Sequence, residues 1–392
     1  MSLEFNEDNL IDLCELVTDG SHHSPPSQVE GYYMASVKDM GTYKFNYSDC
    51  RKISEEDYNK LVKSGCSPKN DDILIAKDGS PLSNIFIYKE EYPIVLLSSI
   101  AIIRPNKSKI LPEFLKYYLE NHSIKRYIQT TYTSGSVIPR IILKDFKKFP
   151  IIYPNLENQK KIIGILRTID KKIAINEEIN RNLLQLSKVI FKNWFVEFEP
   201  FGGVQPDDWK ICALEDVCDL NAGGDKPEVV SDEITDSCIY PIYSNGLDND
   251  GLYGYTNHAK IFEECVTVSA RGTIGFVCLR HTPYVPIVRL VSVIPKKKFI
   301  SAKYLYLFLD RLNIMGTGTT QQQLTIPDFK KTEILVPTLD VIKSFTNHLN
   351  PLFEKIWMQE EEMKKLSKLR DTLLPKLMSG EIDVSKINCD SN

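Results

Sequence analysis

Residues 145–154 (DFKKFPIIYP) return 183 positions later as residues 328–337 (DFKKTEILVP), and this duplication constrains the fold more than any other feature of the chain. The loop ahead of it repeats at the same offset, with Ser134-Gly135-Ser136 facing Thr317-Gly318-Thr319. Further upstream the offset becomes 193, where residues 75–80 (IAKDGS) face residues 268–273 (VSARGT). Each of these runs reads as a β-branched strand entering a tight turn whose glycine permits positive φ. A repeat of this length implies two copies of one domain.

Each terminal proline, Pro154 and Pro337, is followed by a long amphipathic pattern. In the first, Leu166, Ile169, Ile173, Asn176, Asn180, Leu183, Ser187, Ile190 and Trp194 keep the spacing of three and four that builds one helix face. Adding 183 gives Leu349, Leu352, Ile356, Gln359, Met363, Leu366, Arg370, Leu373 and Leu377, again a heptad-like seam, with an amide at the same step. Helices of roughly 35–40 residues would run ~50–60 Å, too long to rest on one small globule each. They are expected to pair with each other, antiparallel, the two amides setting register. The fold class expected is therefore α+β, with two mixed α/β domains, two long antiparallel coiled-coil-like helices and a pseudo-twofold repeat. The expected segments are a first globule at 1–154, a spacer helix at 155–199, a second globule at 200–337, and a second helix with its tail at 338–392.

Formal charge over the 392 residues is only −4, which hides an alternation. Residues 1–100 carry 9 basic and 17 acidic side chains, and residues 101–154 carry 10 and 3. Residues 200–270 then carry 3 and 14, and residues 271–337 carry 10 and 3. Two acidic-then-basic blocks in the same order suit two domains that each turn a basic side to a polyanion. The plainer alternative is a pair of solvated charged faces.

Little else in the sequence carries chemistry. The nine cysteines are scattered, without a C-x-x-C pair or zinc spacing, so neither a disulfide framework nor a structural metal is expected. The longest apolar run, Ile94–Ile103, contains two serines and is too short to span a membrane. The acidic amino-terminal octet argues against a signal or transit peptide, so a cytoplasmic location is expected. No P-loop and no G-x-G-x-x-G fingerprint is present. The run Pro206-Asp207-Asp208-Trp209-Lys210 resembles a nuclease metal motif only superficially, because its two halves overlap; Trp209 reads as a core anchor. The adjacent His22-His23 pair points its rings apart in extended chain and reads as a loop feature. By elimination the chain is expected to bind and not to catalyse.

At this level of detail the chain resembles the specificity subunits of Type I restriction-modification systems over essentially its whole length. The residues that carry the resemblance are 19–22 (DGSH), 51–58 (RKISEEDY), 71–80 (DDILIAKDGS), 154–162 (PNLENQKKI), 191–200 (FKNWFVEFEP), 206–209 (PDDW), 269–275 (SARGTIG) and 373–382 (LLPKLMSGEI). Two departures stand out. The second proline motif (PTLDVI, residues 337–342) lacks the glutamine found at Gln159, and the turn after Lys77 differs from the one after Arg271. Diverged copies imply two different half-sites.

The resemblance implies that each globule is a target recognition domain reading one half of an asymmetric, bipartite site in double-stranded DNA. The helix pair would set the unread gap and dock two modification subunits, which bind S-adenosylmethionine and methylate adenine N6 on a flipped base. Restriction subunits using ATP and Mg would join that core, while this chain would hold no cofactor or metal. Helices of ~55 Å could separate the globules by at most about 16 base pairs. Phosphate contacts are expected from Lys125, Arg126, Arg140, Lys144, Lys147 and Lys148, and from Lys296, Lys297, Lys298, Lys330 and Lys331. Base readout is expected from Lys77 and Ser80, from Ser134, Ser136 and Arg140, from Ser244 and Asn245, from Arg271 and Thr273, and from Thr317, Thr319, Thr320, Gln321, Gln322 and Gln323. The glutamine triplet fits adenine, or is a flexible polar loop. Phe191, Trp194, Phe195 and Phe198 read as packing, or as a contact to the methyltransferase partner. Two alternatives remain at this point: a bipartite-site module serving another methyltransferase or nuclease, and a coiled-coil scaffold with two protein-binding globules and no DNA role.

Overall fold

The structure is a computed structural model and describes residues 4–134, 138–312, 314 and 324–385. It divides into two compact units, one formed by residues up to Ile175 and from Glu362 onward, the other by Asn176–Glu361.

The first globule contains strands β1 (Phe5–Asn9), β2 (Cys14–Asp19), β3 (Tyr32–Ala35), β4 (Arg51–Ile53), β5 (Ile73–Ala76), β6 (Ile85–Ile87), β7 (Ile94–Leu96), β8 (Ile100–Pro105) and β9 (Pro150–Pro154). Its helices are α1 (Glu55–Lys63), α2 (Pro112–Glu120), α3 (His122–Thr131) and α4 (Leu143–Phe146), and the long α5 (Leu156–Phe195) follows. An antiparallel sheet has the order β2-β8-β5-β6, a second has β4-β3-β7 with β3 and β7 parallel, and β1 pairs with β9. The second globule contains β10 (Lys210–Ala213), α6 (Leu214–Val217), β11 (Cys218–Ala222), β12 (Tyr240–Tyr243), β13 (Leu252–Thr256), β14 (Cys265–Val268), β15 (Val277–Arg280), β16 (Val285–Pro286), β17 (Val291–Pro295), α7 (Ala302–Arg311), α8 (Ile326–Phe329) and β18 (Glu333–Val336), and ends in α9 (Leu339–Ser379). Its sheets are β11-β17-β14-β15, β13-β12-β16 with β12 and β16 parallel, and β10-β18. Strand for strand, the two globules have one topology.

The drift in offset now has a cause. Between the two matched runs α2 and α3 follow β8, whereas α7 is the one described helix between β17 and α8. Upstream of both runs, helix α1 lies between β4 and β5, and the second globule has no described helix between β13 and β14. One close backbone approach recurs in both copies. A Cβ on Gly20 would lie 2.2 Å from Leu96 O, and one on Gly223 would lie 2.8 Å from Ile287 N, so glycine is required where the two sheets cross in each copy.

Both long helices form as expected, but they are not bare spacers. Ile162, Ile163 and Leu166 of α5 and Leu374, Leu377 and Met378 of α9 belong to the first core. Phe191 and Phe195 of α5 and Phe345, Leu349, Phe353 and Ile356 of α9 belong to the second. An amphipathic stripe must be buried somewhere, and each half of each stripe is continuous with a globule, which is why the units divide inside both helices. Every seam residue is buried or half-buried, including Leu166, Ile169, Ile173, Leu183, Ile190, Trp194, Leu352, Met363, Leu366, Leu373 and Leu377. The helices run antiparallel in both units. Arg370 lies 3.2 Å from Asp170 and Lys161 donates to Ser385 O (2.8 Å) in one, and Asn180 donates to Ile356 O (3.2 Å) in the other. The buried amides at the shared step meet, Gln359 Nε2 donating to Asn176 Oδ1 at 3.4 Å. The aromatic run that closes α5 is packed: Phe195 lies 4.7 Å from Phe345 and 5.6 Å from Trp209, ring centre to ring centre.

Candidate nucleic-acid interface

Register defines two ends of each four-stranded sheet. In the first globule Asp19, Ala76 and Ile100 mark one end, and Cys14, Ile73 and Pro105 the other. The chain leaves β5 at the Ala76 end into a turn over residues 77–80, where Gly79 takes φ 81° and its N–H donates to Pro139 O at 2.9 Å. The N–H of Ile141 donates to Lys77 O (3.0 Å), that of Ser134 to Arg140 O (2.9 Å), and Arg140 Nε lies 3.0 Å from Asp78 Oδ1. Gln129 of α3 donates to Pro81 O at 2.6 Å, which brings the helix carrying Lys125 and Arg126 to the same turn. Ser80 stands exposed at its tip.

The second globule repeats the arrangement. The turn after β14 has Gly272 at φ 68° and Gly275 at φ 81°, Leu324 N–H donates to Ala270 O (3.1 Å), and a Cβ on Gly275 would come within 2.7 Å of Ile314 O. Thr273 is exposed at its tip, where Ser80 stands in the first copy. Arg271 is half-buried beside it. Ser136, Thr317, Thr319, Thr320, Gln321, Gln322 and Gln323 lie outside the described residues.

Two of the expected base readers have other work. The Lys77 side chain is buried, with Nζ donating to Asp19 Oδ2 at 2.5 Å, and His22 Nε2 stands 3.5 Å from the same oxygen. Desolvating an ammonium is costly unless a carboxylate compensates it, so this pair holds the turn onto β2 and leaves Lys77 unavailable to a base. Asn245 is used at both ends of its amide: Oδ1 accepts from Ala270 N–H (2.8 Å) and Nδ2 donates to Val288 O (2.6 Å). Its neighbour Ser244 donates its N–H to Gly251 O at 2.8 Å.

Nor do the basic residues form one face. Lys147 O accepts from Ile11 N–H and Lys330 O from Glu215 N–H, each at 3.0 Å, at the Cys14 and Cys218 ends of the sheets. There Lys330 Nζ pairs with Glu215 (2.7 Å), and Lys296 Nζ donates to Glu215 O and Asp216 O (3.1 and 3.2 Å). Lys148, Lys331, Lys297 and Lys298 are exposed beside these residues along the chain, and Lys144 is exposed on α4. The strands of the sheet separate this group from the turns. Within a basic block, sequence distance did not report which end of a strand a lysine reaches.

Several cations at the turn ends were not singled out by spacing. Lys38 and Lys44 are exposed on the segment after β3, which Asn84 ties to the first turn by donating to Met40 O at 2.6 Å. Lys226, Lys260 and Arg289 are exposed around Gly224 in the second globule. The first two lie within the acidic block, so block counting obscured them.

Among the described residues, nothing at these turns resembles a catalytic centre. Burial pushes the thiols of Cys14, Cys50, Cys218 and Cys278 up to about 12, which makes them packing groups, not nucleophiles. No cluster of metal-ligating side chains occurs among the described residues, and no described helix is long and apolar enough to cross a membrane.

Comparison with known proteins agrees with this architecture. The family model of the Type I restriction modification DNA specificity domain matches residues 8–185 and again 206–376. The Type I restriction enzyme MjaIX specificity subunit of Methanocaldococcus jannaschii is 25% identical over 403 residues, covering 93% of this chain and 91% of that protein. The HindI specificity subunit of Haemophilus influenzae is 24% identical over 76% of this chain and 83% of its own. In fold, the Type I restriction-modification S subunit of M. genitalium superposes with a TM-score of 0.57 at 15% identity, over 96% of both chains. The chain belongs to the Type I restriction-modification specificity subunits, the non-catalytic DNA-recognition components of those complexes, and carries the family's domain twice.

Proposed function

We propose that each globule reads one half of a bipartite, asymmetric duplex site with the turn end of its four-stranded sheet. The helix pair sets the gap and docks two adenine-N6 methyltransferase subunits. S-adenosylmethionine belongs to those partners, ATP and Mg to the restriction subunits that join them, and the complex works in the cytoplasm where its DNA lies. The observation that carries the reading is the matched pair of glycine turns, each braced by a later loop, that expose Ser80 in one copy and Thr273 in the other on identical topology. A common frame with different side chains at one end is what two half-sites of different sequence require. The base-reading set on this view is Ser80, Ser134 and Arg140 in the first copy, with Lys125 and Arg126 on phosphates beside them, and Arg271 and Thr273 in the second. Lys144, Lys147, Lys148, Lys297, Lys330 and Lys331 are assigned to phosphates alone.

The test is co-expression with the cognate modification subunit in a methylation-free host, with modified adenines mapped by single-molecule sequencing. One motif of two short halves around a fixed gap is expected, and exchanging residues 200–337 for those of a relative should change one half only. Absence of methylation from an assembled, soluble complex would overturn the reading.

A further inference from the structure

Val288 and Arg289 link β16 to β17 in consecutive left-handed conformations, φ 52° and 60°. A β-branched residue at positive φ is an outlier that surrounding contacts must impose, and such strain gathers where a ligand is gripped. The imposing contacts are plain. Val288 N–H donates to Gly224 O and Arg289 N–H to Gly223 O, both at 2.9 Å, and Asn245 Nδ2 donates to Val288 O at 2.6 Å.

The first globule shows the unstrained form of the same link. Ser98 N–H donates to Ser21 O there, as Val288 N–H does to Gly224 O, which aligns Ser99 with Arg289. Ser99 is turned inward: its carbonyl accepts from Lys77 N–H (2.8 Å) and its hydroxyl from Val37 N–H (3.1 Å). In the second copy Asn245 stands where Val37 stands, and it accepts from Ala270 N–H in place of a residue-289 carbonyl. The brace is thus reversed. A side chain from position 245 holds the link, and the side chain at 289 is released outward.

What it releases is a cation. Arg289 is exposed and has no hydrogen bond or ion pair from its side chain to any described residue. Lys260 Nζ comes within 3.7 Å of where a Cβ on Gly224 would lie, and Lys226, two residues on, donates to Tyr253 OH at 3.4 Å. Residues 200–270 contain three basic side chains, and two of them are at this corner. Asn245 joins the link directly to Ala270, the residue before the turn that carries Arg271 and Thr273.

We infer that Arg289 is a base-specifying residue of the second recognition domain, its guanidinium reading the O6 and N7 of a guanine in the major groove, with Lys226 and Lys260 on the flanking phosphates. The fixed backbone aims the fork at no cost when DNA arrives, and a bidentate fork matches guanine better than any other base edge. This assignment rests on the proposed function and deepens it. The experiment is the same adenine map, made with Arg289→Gln and Arg289→Ala beside the wild-type chain, each checked for assembly and thermal stability. The wild type should specify guanine at one position of the half-site governed by residues 200–337. Arg289→Ala should relax that position alone, raising methylation at other bases there roughly tenfold to a hundredfold relative to guanine, and Arg289→Gln should turn its preference toward adenine. A wild-type motif that both variants keep unchanged, at full or reduced occupancy, would overturn the assignment and leave the function standing. Total loss of methylation by both assembled variants would also overturn it, since one base contact cannot carry the whole of recognition. A wild-type complex with no bipartite motif would remove both conclusions.

Discussion

The two globules share every strand pairing, yet they solve the same interior problem with different chemistry. At the start of β5, Asp72 is buried and accepts two hydrogen bonds from Arg104 (2.8 and 2.7 Å) and one from Lys69 N–H (2.8 Å). Register aligns Asp72 with Cys265 at the start of β14. There the partners are neutral, Cys265 Sγ lying 3.2 Å from Tyr284 OH and Tyr284 OH 2.7 Å from Ser292 Oγ. The helix entries differ in the same sense. Buried Gln159 donates to Pro154 O (2.9 Å) and Lys109 O (3.1 Å) and accepts from Leu111 N–H (2.8 Å). Its counterpart, Ile342, is simply packed among apolar residues. At these two positions the first domain uses a buried ion pair and a buried amide where the second uses neutral hydroxyls and apolar packing, on one backbone plan. Topology therefore does not depend on these particular interactions, and the domains are free to diverge.

The largest contrast is expected at the β5 and β14 starts. Asp72→Ala strands a partly buried guanidinium and a backbone N–H, which should cost about 3 kcal/mol. Tyr284→Phe removes one neutral hydroxyl and should cost about 1 kcal/mol. Hydrogen exchange read separately on peptides of β5–β8 and β14–β17 measures both, because two units need not unfold together. Equal losses would break the comparison. Next in size is the helix entry. Gln159→Ile leaves two carbonyls and one N–H without partners and should cost about 2 kcal/mol in the first unit. Ile342→Gln should destabilise the second by a similar amount, because no polar groups await it there. If Gln159→Ile were neutral, the first entry would be no more polar in its energetics than the second. Smaller again is the cap of α1, where Ser54 Oγ accepts from Asp57 N–H at 3.1 Å. Ser54→Ala should cost about 1 kcal/mol, seen as faster exchange over residues 55–63 and nowhere in the second unit, whose described residues include no counterpart to α1.

What was legible in the sequence follows the range of the interactions. The repeat, both long helices, their antiparallel seam and the meeting of Asn176 with Gln359 rest on local periodicity and copied motifs, and these are written along the chain. The turns after β5 and β14 were legible for the same reason. Lys77 was not, because its buried state is set by Asp19, 58 residues away and brought alongside by the sheet. Lys330 reads as an unpaired cation along the chain, whereas Glu215 reaches it when β10 pairs with β18. Asn245 looks like any polar loop residue until the left-handed backbone of Val288 gives it something to hold. Segment charge recovered the polyanion partner correctly but could not say which end of a strand each cation occupies.

The smallest effect tests the comparison at its surface. Asp71 sits at φ 72° and pairs with both Lys107 (2.6 Å) and Lys89. Its counterpart Glu264 pairs with a single, buried Lys303 at 2.8 Å, whose ammonium also lies 5.1 Å from the Trp357 ring centre. Hydrogen bonds from Lys107, then Lys89, hold the Asp71 carboxyl below its usual value. A lowered carboxylate contributes stability that is complete above the unfolded value of about 3.9 and is lost as pH falls through the lower folded value. The first unit should therefore lose a small increment, under about 1 kcal/mol for so open a pair, only below about pH 4. Asp71→Asn keeps a side chain that tolerates the left-handed backbone and should flatten that acid limb while leaving the second unit's profile untouched. An increment that survived the substitution, or that resisted high salt, would mean the first domain's surface charges are as well shielded as Lys303, and the contrast between the copies would then be confined to their cores.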